Sequence, residues 1–397
     1  MKSHTPHPVI PVSQLQPGMY VIAITSQTGT MEIAQMGLVT DRKQIASLVQ
    51  RGVTTVRVDL ARSKLAGIDT LLAPEPIPAV APQPPGNSAN GEGRTLKIRR
   101  LYQEARELQG KFIRQLKAGE PIDITPLAAV AEEMVDTMFS HGDAMLCLAR
   151  IRAKDAYLME HSMNVAILLA NFGRHLELDR SVLKELTLGG LLHDVGKIMT
   201  PDALLNKPGK LTEEEFVIMR QHVVHSHDIL IATAGITPTM LEVAANHHER
   251  LDGSGYPRHL KGSQLSLYTR MSGIVDVYDA VTADRVYKQG MSPTQAFRIL
   301  LKGADHHFDR ELVNRFIKCM GVYPVGTLVR LSNQRLAIVM QRNAQEPLKP
   351  VVKVIYHATQ RHYLEVQWLD LARSGSQESI ECTVDPKEFD IHLARFI

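Results

Sequence analysis

Cysteine is scarce: Cys147, Cys319 and Cys382 are the only three in 397 residues. They show neither a CxxC spacing nor an even count, which excludes a disulfide framework and a zinc ribbon and fits a reducing compartment. Charge excess is missing too. Forty-five basic against forty-two acidic side chains leave a formal charge of +3, too balanced for the overall field to draw the chain to a nucleic acid polymer or a membrane. There is no apolar run of eighteen residues, and the residues from Met1 to Pro6 lack an apolar signal region. Neither a membrane span nor secretion is therefore expected, and the expected location is cytoplasmic. With 44% hydrophobic residues, the chain is long enough to bury a full core in two or three domains.

Taken in order, residues 1–72 read as a small α/β module. Strands are expected at Met19 to Ile24 and Val56 to Val58, with a helix between them capped by Asp41 and carrying Ile45, Leu48 and Val49 on its apolar face. Residues 73–95, rich in proline and then glycine, are expected to be an extended linker. Connecting helices follow over 96–150. The first carries Ile98, Leu101, Ala105, Leu108, Phe112 and Leu116 at helical spacing, a stripe that fits either packing within its own domain or a coiled-coil homodimer. Residues 151–320 read as helix after helix, and 321–397 as a β-rich appendage whose core is expected to include Trp368. The fold class is mainly α, with small mixed and β-rich attachments.

Histidine is concentrated. Nine of seventeen (His161, His175, His193, His222, His225, His227, His247, His248 and His259) fall within residues 161–259, where even scatter would place about four. His193 and Asp194 stand together at the end of an apolar helix. Because an aspartate can offer its two oxygens to two ions while the histidine serves one, the pair suits a two-metal centre. Gly196 removes bulk beside the pair, and Lys197 adds a cation one turn on. His161, His222, His247, His248 and Asp276 recur at helical-hairpin spacings, which is how bundles assemble metal sites in their cores. Taken singly, each is as well explained as a core or surface histidine; together they point to a metal. His225 or His227 could support the site from behind, and His306-His307 reads as a solvated loop.

His193-Asp194 with Gly196-Lys197, followed by His247-His248-Glu249-Arg250-Leu251-Asp252-Gly253-Ser254-Gly255-Tyr256-Pro257, resembles the HD-GYP phosphodiesterases, a bacterial branch of the HD hydrolases. The resemblance covers about residues 150–320. The N-terminal module resembles the small uncharacterised domain often found ahead of them. It implies an all-helical HD-type domain that hydrolyses cyclic di-GMP to pGpG or GMP through a metal-bridging hydroxide. It also implies His161, His193, Asp194, His222, His247, His248 and Asp276 as ligands, with Asp194 bridging iron or manganese. Lys197 would lie beside the scissile phosphate. Gly255 and Tyr256 of the loop, with Arg285 and Lys288, would meet the ligand, and a diguanylate cyclase of GGDEF type would be a partner. Family members with a third ion carry a glutamate where this chain has Tyr157, so two ions are expected. The alternatives are a weakly active cyclic dinucleotide sensor or protein-interaction module acting through the loop, or HD chemistry on another cyclic dinucleotide or a nucleotide monophosphate.

Overall fold

The computed structural model describes residues 9–12, 15, 17–27, 37–50, 53–59, 88–150, 157–207, 209–283, 290–373 and 376–396. The chain divides into two compact units, Met1–Ala79 and Val80–Ile397.

In the first unit, β1 (Val9–Pro11), β2 (Tyr20–Gln27), β3 (Gly37–Leu38) and β4 (Val53–Asp59) form an antiparallel sheet in the order β1-β4-β2-β3. The chain enters β2 through the Pro17-Gly18 turn, where Gly18 takes φ 98°, a backbone state that costs any side-chain-bearing residue. α1 (Arg42–Gln50) starts where Asp41 accepts a hydrogen bond from the Gln44 amide at 2.9 Å. Ile45 and Leu48 of α1 pack on a core of Val12, Leu15, Met19, Val21, Val39, Val53, Val56 and Val58.

The second unit begins with α2 (Ser88–Ala118). The linker expected over 73–95 is thus helical from Ser88, a correction. Once the packed stretch from Ile98 has nucleated the helix, each residue added backwards gains a backbone hydrogen bond without a new nucleus, which works against the roughly 1 kcal/mol that Gly91 and Gly93 each cost relative to alanine. Ile98, Leu101, Ala105 and Phe112 are buried, so the stripe is taken up inside this unit and is not free for a coiled coil. α3 (Thr125–Ala149) follows, with non-helical His141 within it.

α4 (Tyr157–His175) is the central helix: from His161 to Gly173 every side of it is buried, as an all-round apolar helix must be. α5 (Arg180–Leu192) packs on it closely enough that a Cβ on Gly190 would lie 2.7 Å from Ala166 Cα. A 3-10 turn at Val195–Met199, α6 (Asp202–Leu205), α7 (Glu213–Ile231), α8 (Pro238–Asn246), α9 (Leu267–Thr282), α10 (Pro293–Gly303) and α11 (Arg310–Met320) complete the helical body.

β5 (Leu328–Leu331), β6 (Arg335–Gln341), β7 (Val351–His357), β8 (His362–Asp370) and β9 (Ile380–Thr383) form an antiparallel sheet in the order β8-β7-β6-β5-β9. Arg342, just past β6, ties this sheet to α3: its amide and Nε donate to the Asp143 carboxylate at 3.0 and 2.7 Å. Trp368 is 48% exposed with the Lys353 ammonium over its ring, correcting its expected place in the core. The apolar interior of this sheet is supplied by Leu328, Leu336, Ile338, Ile355 and Tyr356, and β8 lies at its edge. Among the described residues, no helix is long and apolar enough to cross a membrane.

Candidate metal centre

Five segments converge on one buried point. His161 comes from the first turns of α4, His193 caps the C-terminus of α5 with Asp194 next, His222 lies mid-way along α7, His247 caps α8 ahead of His248, and Asp276 lies within α9. The donor atoms fall into groups within 4.8 Å of one another: His161, His193 and Asp276; His222, His247 and His248; and His193, Asp194 and His247.

Asp194 stands between the first two groups. Its Oδ2 faces His193 Nε2 at 3.3 Å and His161 Nε2 at 3.6 Å, while its Oδ1 faces His222 Nε2 at 3.4 Å and His247 Nε2 at 3.8 Å. Three of the imidazoles are oriented by backbone behind them. Nδ1–H donates to the Gly190 carbonyl from His193 at 2.8 Å, to the Met219 carbonyl from His222 at 2.6 Å, and to the Ala244 carbonyl from His247 at 3.0 Å. These bonds turn each Nε2 lone pair inward.

The electrostatics fit cations. Burial lowers His222 to about 4, with the Asp194 charge opposing the shift, and lowers His247 to about 3, so both rings are held neutral as ligands must be. His248, partly exposed, is lowered as well by loss of solvation and by His247. Burial disfavours a charged His161, but its bonds to Asp276 and Asp279 outweigh that and raise it to about 9. Asp194 and Asp276 resist burial and stay well below the usual carboxylate range, Asp194 through the charges of His193 and Lys197, Asp276 through its bond from His161. Among the described residues, buried His193 Nε2, His222 Nε2, His247 Nε2 and Asp194 Oδ1 have no hydrogen-bond partner. Four such atoms pointing into one space are costly unless something binds there, and imidazole and carboxylate without thiolate suits divalent iron, manganese, nickel or zinc.

Lys197 reaches Asp194 Oδ2 with its ammonium at 2.5 Å. The 3-10 turn holding it is pressed onto α7: a Cβ on Gly196 would lie 2.0 Å from the His222 carbonyl oxygen. Ser226 clips the same turn, its hydroxyl accepting from the Gly196 amide at 2.8 Å and donating to the His193 carbonyl at 2.9 Å. At the open side, the Tyr256 ring lies 4.7 Å from His248 and under Arg220. Gly255 packs so tightly that a Cβ would meet the Arg250 amide nitrogen at 2.4 Å.

His175, His225, His227 and His259 join none of the metal-capable groups among the described residues. His306 and His307 are exposed, as a solvated loop should be, although their carbonyls accept from the Asp252 and Leu251 amides at 2.9 and 3.2 Å. Arg285, Lys288 and Val286, and the Tyr157 side chain on which the two-ion count rests, lie outside the described residues.

The roles of two residues went unread in the sequence. Asp279 accepts from His161 Nδ1 at 2.7 Å, doing with a carboxylate what backbone carbonyls do for the other rings. Its position three residues after Asp276 on one helix was the available signal. Glu249, buried, accepts from the Arg258 and Leu260 amides at 2.7 and 3.0 Å and so fixes the loop carrying Tyr256. Glu160, next to His161 on α4, turns away from the centre: it is buried between Tyr102, 2.5 Å away, and Arg106 at 3.1 Å, both on α2.

Three domain families match this chain. Residues 146–312 match the HD domain family, residues 9–127 a domain of unknown function, DUF3391, and residues 328–390 the KOW domain associated with HD domain. The cyclic di-GMP phosphodiesterase PA4108 of Pseudomonas aeruginosa is 33% identical over 378 residues, covering 94% of this chain and 90% of its own. The 3'3'-cGAMP-specific phosphodiesterase 1 of Vibrio cholerae is 41% identical over 157 residues, 40% of this chain and 36% of its own. A cyclic di-GMP phosphodiesterase of Thermotoga maritima is 33% identical over 187 residues, 47% of this chain and 50% of its own. With an HD domain around the buried histidines and a full-length relative at this identity, the chain belongs to the HD-GYP phosphodiesterases.

Proposed function

We propose that this phosphodiesterase hydrolyses cyclic di-GMP, to linear pGpG or on to GMP, at two divalent ions of iron or manganese. The observation that carries the reading is Asp194, whose two oxygens face two different sets of imidazoles. His161, His193 and Asp276 would hold one ion, His222, His247 and His248 the other, and Asp194 both. Ions held by these residues would supply a nucleophile at neutral pH and would neutralise phosphoryl oxygens during in-line displacement.

The chain's own groups do the rest. Lys197, already beside Asp194 Oδ2, sets a positive charge where the equatorial phosphoryl oxygens gain negative charge, a stabilisation worth most in a site closed to water. Tyr256 and Gly255 border the His248 side and offer a ring and a close backbone to a nucleotide. Arg285 and Lys288 are proposed to contact guanine and phosphate. Residues 151–320 form the proposed catalytic domain.

The test pairs metal analysis of protein purified without oxygen with product identification. Two ions per chain and release of pGpG are expected, and full metal content with full turnover in Asp194→Ala would refute the bridging role. The similarity to a 3'3'-cGAMP-specific enzyme favours a second substrate reading, cyclic GMP-AMP. Competition between the two cyclic dinucleotides decides it, with cyclic di-GMP expected to have the higher kcat/KM.

A further inference from the structure

Arg220, on α7 two residues before His222, stands at the open side of the centre and is partly exposed. Its Cζ lies 4.3 Å from the ring centroid of Phe216, one turn back on the same helix, and 5.1 Å from that of Tyr256, whose ring is 4.7 Å from His248. Two aromatic contacts thus hold the cation in place. The helix beneath it is fixed at its start, where Thr212 and Glu215 exchange hydrogen bonds. What the cation lacks is an anion. Among the described residues no oxygen accepts from its Nε, although that nitrogen is buried, and no carboxylate pairs with the guanidinium. Neighbouring cations are engaged: Lys197 with Asp194 Oδ2, Arg250 with the His247 and Glu249 carbonyls at 3.2 and 2.8 Å, and Arg258 with Asn246 Oδ1 at 2.5 Å. A buried guanidinium nitrogen without an acceptor is a cost that a bound oxyanion removes.

A cyclic dinucleotide carries two phosphodiesters on one ring, each with a negative charge, and only the one being cleaved can meet the metal ligands. The other must leave water with no ion to neutralise it. The planar fork of a guanidinium matches two phosphate oxygens at once. We propose that Arg220 binds this second, non-scissile phosphate, an inference that rests on the proposed hydrolysis of a cyclic dinucleotide. The contact orients the ring so that its first phosphate reaches Asp194 and Lys197. The charge on the second phosphate does not change while the first is hydrolysed, so the contact is equally strong in ground and transition states and acts on KM.

Kinetics of Arg220→Gln and Arg220→Lys against wild type, in full-length protein loaded with Mn²⁺ to equal metal content, test this. The probes are cyclic di-GMP, cyclic GMP-AMP and bis(p-nitrophenyl) phosphate, a diester with no second phosphate. Arg220→Gln is expected to raise KM for cyclic di-GMP about 10- to 100-fold, the worth of a hydrogen bond to a charged group, with kcat within about twofold. Its loss in kcat/KM should be alike for the two cyclic dinucleotides and smaller by about tenfold or more for bis(p-nitrophenyl) phosphate. Arg220→Lys keeps the charge without the fork and should recover part of the affinity. Equal losses on all three probes would assign Arg220 to holding Tyr256 and overturn the inference. So would losses differing more than about tenfold between the two cyclic dinucleotides, the mark of a base contact, or a lysine variant no better than the glutamine one. Were Arg220→Gln to lose its fold or its metal, Arg220→Lys decides: an equal loss on every probe, or none, rejects the contact, and a selective loss on the cyclic dinucleotides upholds it. A wild-type enzyme that cleaves the simple diester but neither cyclic dinucleotide overturns the cyclic dinucleotide reading, and this inference with it, before any variant is compared.

Discussion

Asp194 is buried at 2% exposure among four imidazoles and the Lys197 ammonium, and among the described residues its Oδ1 has no hydrogen-bond partner. Its removal should therefore empty the centre, and Asp194→Ala is expected to retain less than one ion per chain by elemental analysis. Asp279 acts through His161. Asp279→Asn keeps the shape but weakens the hold on the imidazole, and should cost about 10- to 100-fold in metal affinity or activity. Rescue of the rate by excess Mn²⁺ would separate lost affinity from lost chemistry. The pH response of the chelated protein follows from the same residues. His222 and His247 have folded pKa values below that of the unfolded chain, about 6.5, so unfolding takes up protons as the pH falls, and their contribution to stability drops between about 6.5 and 4. His161 is raised, so its stabilisation is complete below about 6.5 and fades as the pH rises through about 9. With His175, His222, His247 and His248 lowered against His161 raised, the metal-free protein should melt lower at pH 5 than at pH 7.5, measured by thermal denaturation in a chelator. A higher melting point at pH 5 would contradict this balance.

At the scale of elements, the site is made by two close approaches. The 3-10 turn after α5 touches α7 through Gly196, and the loop after α8 folds on itself at Gly255. Gly196→Ala must push backbone from backbone at the point where Asp194 meets His222, with an expected loss of about 1–3 kcal/mol or more in denaturant unfolding together with loss of bound metal. Glu249→Ala leaves two loop amides without acceptors, a cost of about 1–3 kcal/mol that should fall on the loop. The expected readout is a raised KM with metal content unchanged. These elements also explain what the sequence could and could not disclose. His193-Asp194 and His247-His248 were legible because metal chemistry demands rare residue types at helix ends, and the helices were legible from their apolar period. Glu249 and Asp279 were not, since their work is to hold an amide or a ring that only the folded chain brings near. Trp368 was misread because strand alternation shows which residues share a face and not whether that face is covered.

On the scale of the whole molecule, the donors span His161 to Asp276 and come from five separate segments, so bound ions would cross-link most of the helical body. Metal binding and folding are then one equilibrium. The hydrogen bonds from Nδ1 of His193, His222 and His247 to backbone carbonyls involve no ion, so the chelated protein is expected to keep its fold at reduced stability. An ion present at about 100 times its Kd stabilises by about 2.7 kcal/mol. For a unit of this size that corresponds to a rise on the order of 5 °C in Tm. Stripping with a chelator should lower Tm by that amount or more, and Mn²⁺ or Fe²⁺ should restore it in proportion to the logarithm of free ion concentration. Calcium, which prefers all-oxygen cages, should restore little, because most donors here are imidazole nitrogens. If the melting curve were the same in chelator and in Mn²⁺, the converging nitrogens would be ordinary core groups and the two-ion reading would fail with them.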